Sequence, residues 1–319
     1  MKTNLVSAAA IALLVAATSC KKSAIDESGV RASDFWANHQ VPTQSFSGNA
    51  NTGFTVTGTK GTKLNFPASA FVDGSGNVIS GNVTVTLKEV LSKKDVLLSG
   101  VFTEASGQLL ESGGEIEVKA RQGNNELQVN PALAATGGGI AVEIPKVMND
   151  KDMGLFIPKR QQAGGGAGGG QNQQNPDTWS PAPYYPFGNG PNSYTFNLPG
   201  FTWVNCDRFY SDPNPKTTVT ASPDFQDNNQ VTDMQVMLVC KNIATVVTFP
   251  FNYSLQKFES YVNSLPIGLE AEIVIIGKDS NGFIQFATQP VTITASMHVN
   301  IPIHKATQGE VDAYLATIQ

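Results

Sequence analysis

Charge is scarce in this chain. Lys, Arg, Asp and Glu make up only 15% of its 319 residues, and the net charge of −5 is mildly acidic. That balance argues against nucleic acid or an anionic membrane face as an electrostatic partner. Histidine is nearly absent, with His39, His298 and His304 alone. His298 and His304 share the parity of one strand face, yet at about 3.3 Å per residue they stand roughly 20 Å apart, too far to hold one ion. No His-Glu-x-x-His, Gly-x-Ser-x-Gly or Walker A sequence occurs, and neither a metal nor a cofactor is expected. Gly53, Gly58 and Lys60 approach the Walker pattern, but the lysine is one place late in a strand context. Gly164, Gly166 and Gly169 fit a dinucleotide fingerprint only because their segment is nearly all glycine. Long apolar runs are also missing, and Leu, Glu, Lys and Ala do not recur in helical blocks. What abounds is Gly (30) and Pro (18), with Thr, Val, Asn and Ser throughout. This is the composition of short strands joined by turns.

Residues 1–19 read as an export signal. Lys2 supplies the positive start, and the apolar run over 5–17 falls short of the ~20 residues that span a bilayer. Ala17, Thr18, Ser19 and Cys20 resemble a lipobox, with Ala17 where Leu is commonest. On that reading the chain is cut before Cys20, which carries acyl lipid such as palmitate; in ordinary secretion Cys20 is incidental. The cysteine count favours the first reading, because lipid on Cys20 leaves an even pair, Cys206 and Cys240. A disulfide between them closes a loop of about 34 residues, worth roughly 3–4 kcal/mol. Two buried free thiols are the alternative, and the sequence leaves both open. Lys21 and Lys22 stand where an inner-membrane retention signal would resemble Asp, which favours the cell outer membrane. Whether the body faces the surface or the periplasm is not fixed.

After the signal, 20–51 is polar and reads as a tether, with Phe35 and Trp36 able to pack on the body. Strand signals then fill 52–158. Apolar residues take every second position over 83–87, 116–120 and 140–144. Turn sequences at 73–77 and 123–125 separate them. Residues 159–192 are rich in Gly, Gln and Pro and read as a linker or loop. A second strand-rich block occupies 193–319, with nearly unbroken apolar runs at 234–239 and 273–276 and alternation over 297–303. Thr307 and Glu310 match a capping box and open a short terminal helix. The fold class is all-β: two antiparallel β-sandwich domains with a short C-terminal helix.

Few residues offer chemistry. Asp73, Ser75 and Asn77 have the spacing of a calcium loop but no acidic residue closes it, which leaves a plain turn. Glu115 and Glu117 alternate with Ile116 and Val118 and read as a solvated sheet face. Trp179, Tyr184, Tyr185 and Phe187 lie among prolines in a loop. Flat aromatic rings of this kind bind sugars or peptides, or fold back as a lid over a core.

Several segments resemble known proteins. Gly61, Thr62, Leu64, Phe66, Pro67, Ala68, Ala70 and Phe71, then 81–85, 98–103 and 110–114, are similar to uncharacterised envelope lipoproteins of Bacteroidetes-type bacteria. The opening also resembles the ZU5 β-sandwich module. Gly200, Trp203, Asn205, Asp207, Arg208 and Phe209 match a segment frequent in such lipoproteins, and 265–268 resembles transthyretin-like or regulatory sandwich repeats. The resemblance implies fold and location more than activity. Some ZU5 modules cleave themselves at His-Phe-Ser, but here Phe46 and Ser47 follow Ser45, so that activity is not carried over. The expectation is a non-enzymatic envelope lipoprotein that binds or scaffolds a partner, a protein or a glycan, with the membrane engaged through lipid on Cys20. A hydrolase acting on glycans or peptides, or an accessory module of one, is the alternative.

Overall fold

A computed structural model describes residues 29–135, 138–146, 152–159, 179–225 and 231–318; the expected export signal, Cys20 and the glycine-rich stretch lie outside them. The described chain is all-β, with antiparallel sandwiches and a short C-terminal helix.

Alternation builds the first sandwich. Val83, Val85 and Leu87 of Asn82–Val90 turn to the same core as Ile116, Val118 and Ala120 of Gln108–Gln122. These strands are central in a sheet ordered Thr43–Asn49, Asn82–Val90, Gln108–Gln122, Trp203–Phe209, Gly154–Pro158, Trp179–Pro181. A second sheet is ordered Phe187–Asn189, Ser193–Asn197, Ala141–Pro145, Lys63–Phe66, Phe54–Thr57. It gives Leu64, Phe66, Val142, Ile144, Tyr194 and Phe196 to the shared core, each burial worth about 1.5–3 kcal/mol.

The second sandwich is one sheet bent over itself. Its order is Val246–Thr248, Val231–Cys240, Glu270–Asp279, Ile284–Thr292, His298–Lys305, Thr220–Phe225, Lys257–Glu259, Phe251–Asn252. Pairing is antiparallel except between Thr220–Phe225 and His298–Lys305, which run parallel. Ile284–Thr292 meets His298–Lys305 only at Gln285 and Phe286. There the sheet turns, closing over Val236, Leu238, Ile273, Ile275, Ile301 and Ile303.

A third core joins the sandwiches. Helix Ala32–His39 inserts Phe35, helix Lys93–Ser99 inserts Val96 and Leu97, and helix Gln308–Thr317 inserts Val311 and Leu315. They pack with Phe156, Trp179 and Trp203 of the first sandwich and Met237, Val239, Val274 and Ile276 of the second. Val231–Cys240 and Glu270–Asp279 are therefore buried on both faces, which explains their unbroken apolar runs. Backbone bonds cross the seam, from Thr103 N to Val246 O (3.0 Å) and from Ser112 N to Ala244 O (2.9 Å). The Thr307 hydroxyl caps the last helix by accepting from Glu310 N at 3.2 Å. The Glu310 carboxylate meets His304 at 2.6 Å.

Several expectations change. Within the supposed tether over 20–51, Ala32–His39 is a helix and Thr43–Asn49 is an edge strand paired to Asn82–Val90. Phe35, with no exposed surface, ties the helix into the shared core. Of the supposed linker over 159–192, Trp179–Pro181 and Phe187–Asn189 are strands of the first sandwich. The boundary expected at 193 moves too, because Ser193–Asn197 and Trp203–Phe209 also pair within the first sandwich. The bridge between Cys206 and Cys240 is not formed: both are buried free thiols. Cys206 belongs to the core of the first sandwich and Cys240 to that of the second, so they face different interiors.

Candidate functional site

Period-two alternation leaves the outer face of the five-stranded sheet outside the cores. On the five-stranded sheet, register aligns Asn197, Ala141, Asn65 and Thr55 in one rung, and Gly188, Thr195, Glu143 and Lys63 in the next. These residues line a trough of about 620 Å³, together with Pro186 and Phe187. The Thr55 hydroxyl bonds the Asn65 side chain at 3.2 Å, and Lys63 meets Glu143 at 3.5 Å. A Cβ at Gly188 would come within 2.2 Å of the Thr195 hydroxyl, so glycine is what keeps that hydroxyl uncovered.

The aromatic candidates divide around this trough. Phe187 reaches it while stacking inward on Tyr194 at 5.8 Å. Tyr185 packs against the first core, whereas Tyr184 is 72% exposed, its ring 4.9 Å from that of Tyr185. Trp179 is not part of the site. It is completely buried in the shared core, and its indole N–H donates to Phe102 O at 3.0 Å.

A polar cluster lies between the sandwiches. Glu115 and Glu117, expected on a solvated face, are 0% and 7% exposed, because Trp203 and Leu110 on the same face enter the shared core. A bulge sets the geometry. Glu115 pairs with Asn205 and Ser112 with Asp207, so Gly113 and Gly114 together oppose Cys206. Gly114 has φ of 125°, and a Cβ on Gly113 would sit 2.8 Å from the Tyr194 ring. Ser112 and Glu115, three apart, thus share a face with Asn205 and Asp207. The Asn205 amide donates to Asp207 Oδ2 (2.6 Å) and Glu115 Oε1 (3.2 Å), and the Ser112 hydroxyl donates to Asn205 Oδ1 at 3.4 Å. Arg208 pairs with Glu111 alongside.

Burial first, and then the charge of Asp207, pushes the Glu115 carboxyl well above the usual range. Burial likewise raises Asp207, against the opposing bonds from Ser112 and Asn205. Paired acids with raised values are what acid–base hydrolysis uses, but neither carboxyl has exposed surface, so no substrate reaches them.

The near match to a Walker loop has its own occupant. Glu89 accepts from the backbone amides of Lys60 and Thr62, both at 2.9 Å, and from Gln44 Nε2 at 2.8 Å. A carboxylate of the chain itself fills the loop. Asp73 closes a turn by accepting from the amides of Ser75 and Asn77. His39 bonds Asp312, His298 bonds Thr220 and Asn300, and His304 bonds Glu310. Among the described residues no group of three or more His, Cys, Asp or Glu side chains is arranged to hold a metal ion.

No family model matches this sequence, and no match was found among curated proteins. Among solved structures, the chain aligns with the gamma-CGTase from alkalophilic Bacillus clarkii at 12% identity, over 80% of this chain and 42% of that one. The chain thus spans under half the length of that enzyme, and the TM-score of 0.18 is too low to carry any argument.

Proposed function

We propose that this chain is a non-enzymatic envelope lipoprotein, anchored by lipid on Cys20 at the outer membrane, whose body binds a partner through the trough on its five-stranded sheet. One observation carries the reading. The trough, at about 620 Å³, has the size of a small-molecule site, is lined by amide and hydroxyl groups, and has the exposed Tyr184 close in sequence to Pro186 of its lining. The acid pair that a hydrolase would need is sealed between the sandwiches, which weighs against the alternative.

Two experiments test this. The purified body is screened against envelope polysaccharides and peptides; saturable binding without product is expected, and turnover of any of them refutes the reading. Cells labelled with a fatty-acid analogue should tag the wild type and not Cys20→Ala. An unlabelled wild type, or a labelled variant, ends the anchoring claim.

A further inference from the structure

Resting on the trough as the binding site, we infer that its ligand is an uncharged glycan chain. The lining carries a single pair of opposite charges, Lys63 and Glu143, 3.5 Å apart and mutually neutralising. It offers no net charge to select a polyanion. The remaining polar lining side chains are Asn65, Asn197, Thr55 and Thr195. Each both donates and accepts, as does each hydroxyl of a sugar.

Shape points the same way. Ala141 sits in register between Asn197 and Asn65, and Gly188 beside Thr195. The floor of the trough is therefore low at these two points, on either side of Ser193–Asn197, where the neighbouring side chains are longer. Lys63–Phe66, Ala141–Pro145 and Ser193–Asn197 each have a strand on both sides. Their backbone is committed to the sheet, so an extended peptide lying over these three strands finds no main-chain edge to pair with; the edge strands Phe54–Thr57 and Phe187–Asn189 bound the trough. Tyr184, 72% exposed, stands two residues before Pro186 of the lining and offers a flat aromatic face.

The test is affinity electrophoresis and calorimetry on the full mature chain. The probes are three neutral glycans (dextran, laminarin and galactomannan), polygalacturonate as the anionic control, and a mixed unstructured peptide. At least one neutral glycan should bind. Ala141→Gln, at an exposed position, fills the low floor of the trough and should abolish that binding with unchanged melting temperature. Asn65→Ala, Asn197→Ala and Tyr184→Ala should each raise Kd about tenfold or more. Binding of polygalacturonate or peptide that Ala141→Gln abolishes overturns the ligand class and leaves the binding role standing. Neutral glycan binding that survives all four substitutions overturns the trough as the site. Failure of every probe to bind refutes both this inference and the binding role.

Discussion

Glu104 should make the seam between the sandwiches sensitive to alkali. Its side chain is 4% exposed, and its Oε2 accepts from the Thr248 amide across the seam at 3.3 Å. Burial outweighs that bond and pushes the carboxyl from its ordinary 4.5 up to about 8. The folded state then keeps a proton that the unfolded chain releases, so stability falls as pH rises between those values. The slope is about 1.4 kcal/mol per pH unit, which leaves the protein about 3 kcal/mol less stable at pH 7 than at pH 4.5 through this group alone. Glu104→Gln keeps the carbonyl acceptor and the size of the neutral acid but cannot ionise. Its extra N–H lacks a partner, at a cost of about 1 kcal/mol. The variant should therefore be slightly less stable than wild type at pH 4.5 and about 2 kcal/mol more stable at pH 7. Urea unfolding at pH 4.5, 6, 7 and 8 measures this, followed by the fluorescence of Trp179 and Trp203 in the shared core. Glu115 and Asp207 tilt both curves alike, so the quantity to read is the difference between variant and wild type. Parallel curves at every pH would refute the reasoning.

Glu89→Ala leaves the amides of Lys60 and Thr62 and the Gln44 side chain without their acceptor, and should lose about 2–3 kcal/mol at pH 7. Burial alone would raise that carboxyl, but those donors hold it below its ordinary value. The loss should fade as pH drops through the lowered folded value, and a gap that persists in full at pH 2 contradicts it. Trp179→Ala should cost about 3–5 kcal/mol, measured as a shift in urea midpoint, whereas a loss under 1 kcal/mol would mean the ring is not in the core. Cys206 and Cys240 should stay silent to a thiol reagent in the native protein and both react once it is denatured without reductant; fewer reacting thiols would mean a bridge.

Much of the fold was legible because its strands obey a two-residue period. That period marked the central strands of the first sandwich at 83–87 and 116–120, unbroken apolar runs marked those of the second at 234–239 and 273–276, and the Thr307 cap marked the terminal helix. What escaped was backbone that pays its way by pairing rather than by burial. Thr43–Asn49 buries no side chain fully, so its sequence holds no apolar period, yet every residue from Thr43 to Asn49 has a partner in Asn82–Val90. Trp179 was visible only as an aromatic among prolines. Nothing local distinguishes an exposed tryptophan from one whose neighbours come from Phe102 and a core assembled over the whole chain.

The reading of Glu115 failed for a more specific reason. Parity along a strand separates inward from outward residues, and it placed Glu115 opposite Ile116, which was right. It does not reveal what covers the outward face, and here the second sandwich does, through contacts more than a hundred residues distant, such as Ser112 N to Ala244 O. Nor does parity survive a bulge. Ser112 and Glu115 are an odd number of residues apart and should point to opposite faces, but Gly113 and Gly114 together oppose one residue and bring the two side chains round to Asn205 and Asp207. The two adjacent glycines were the available signal, since a pair of them inside a strand marks a place where the backbone must depart from the regular pleat. The trough on the five-stranded sheet carried a weaker one. Gly188 and Ala141 are far apart in sequence, and only the pairing of both their strands with Ser193–Asn197 brings them to one sheet face.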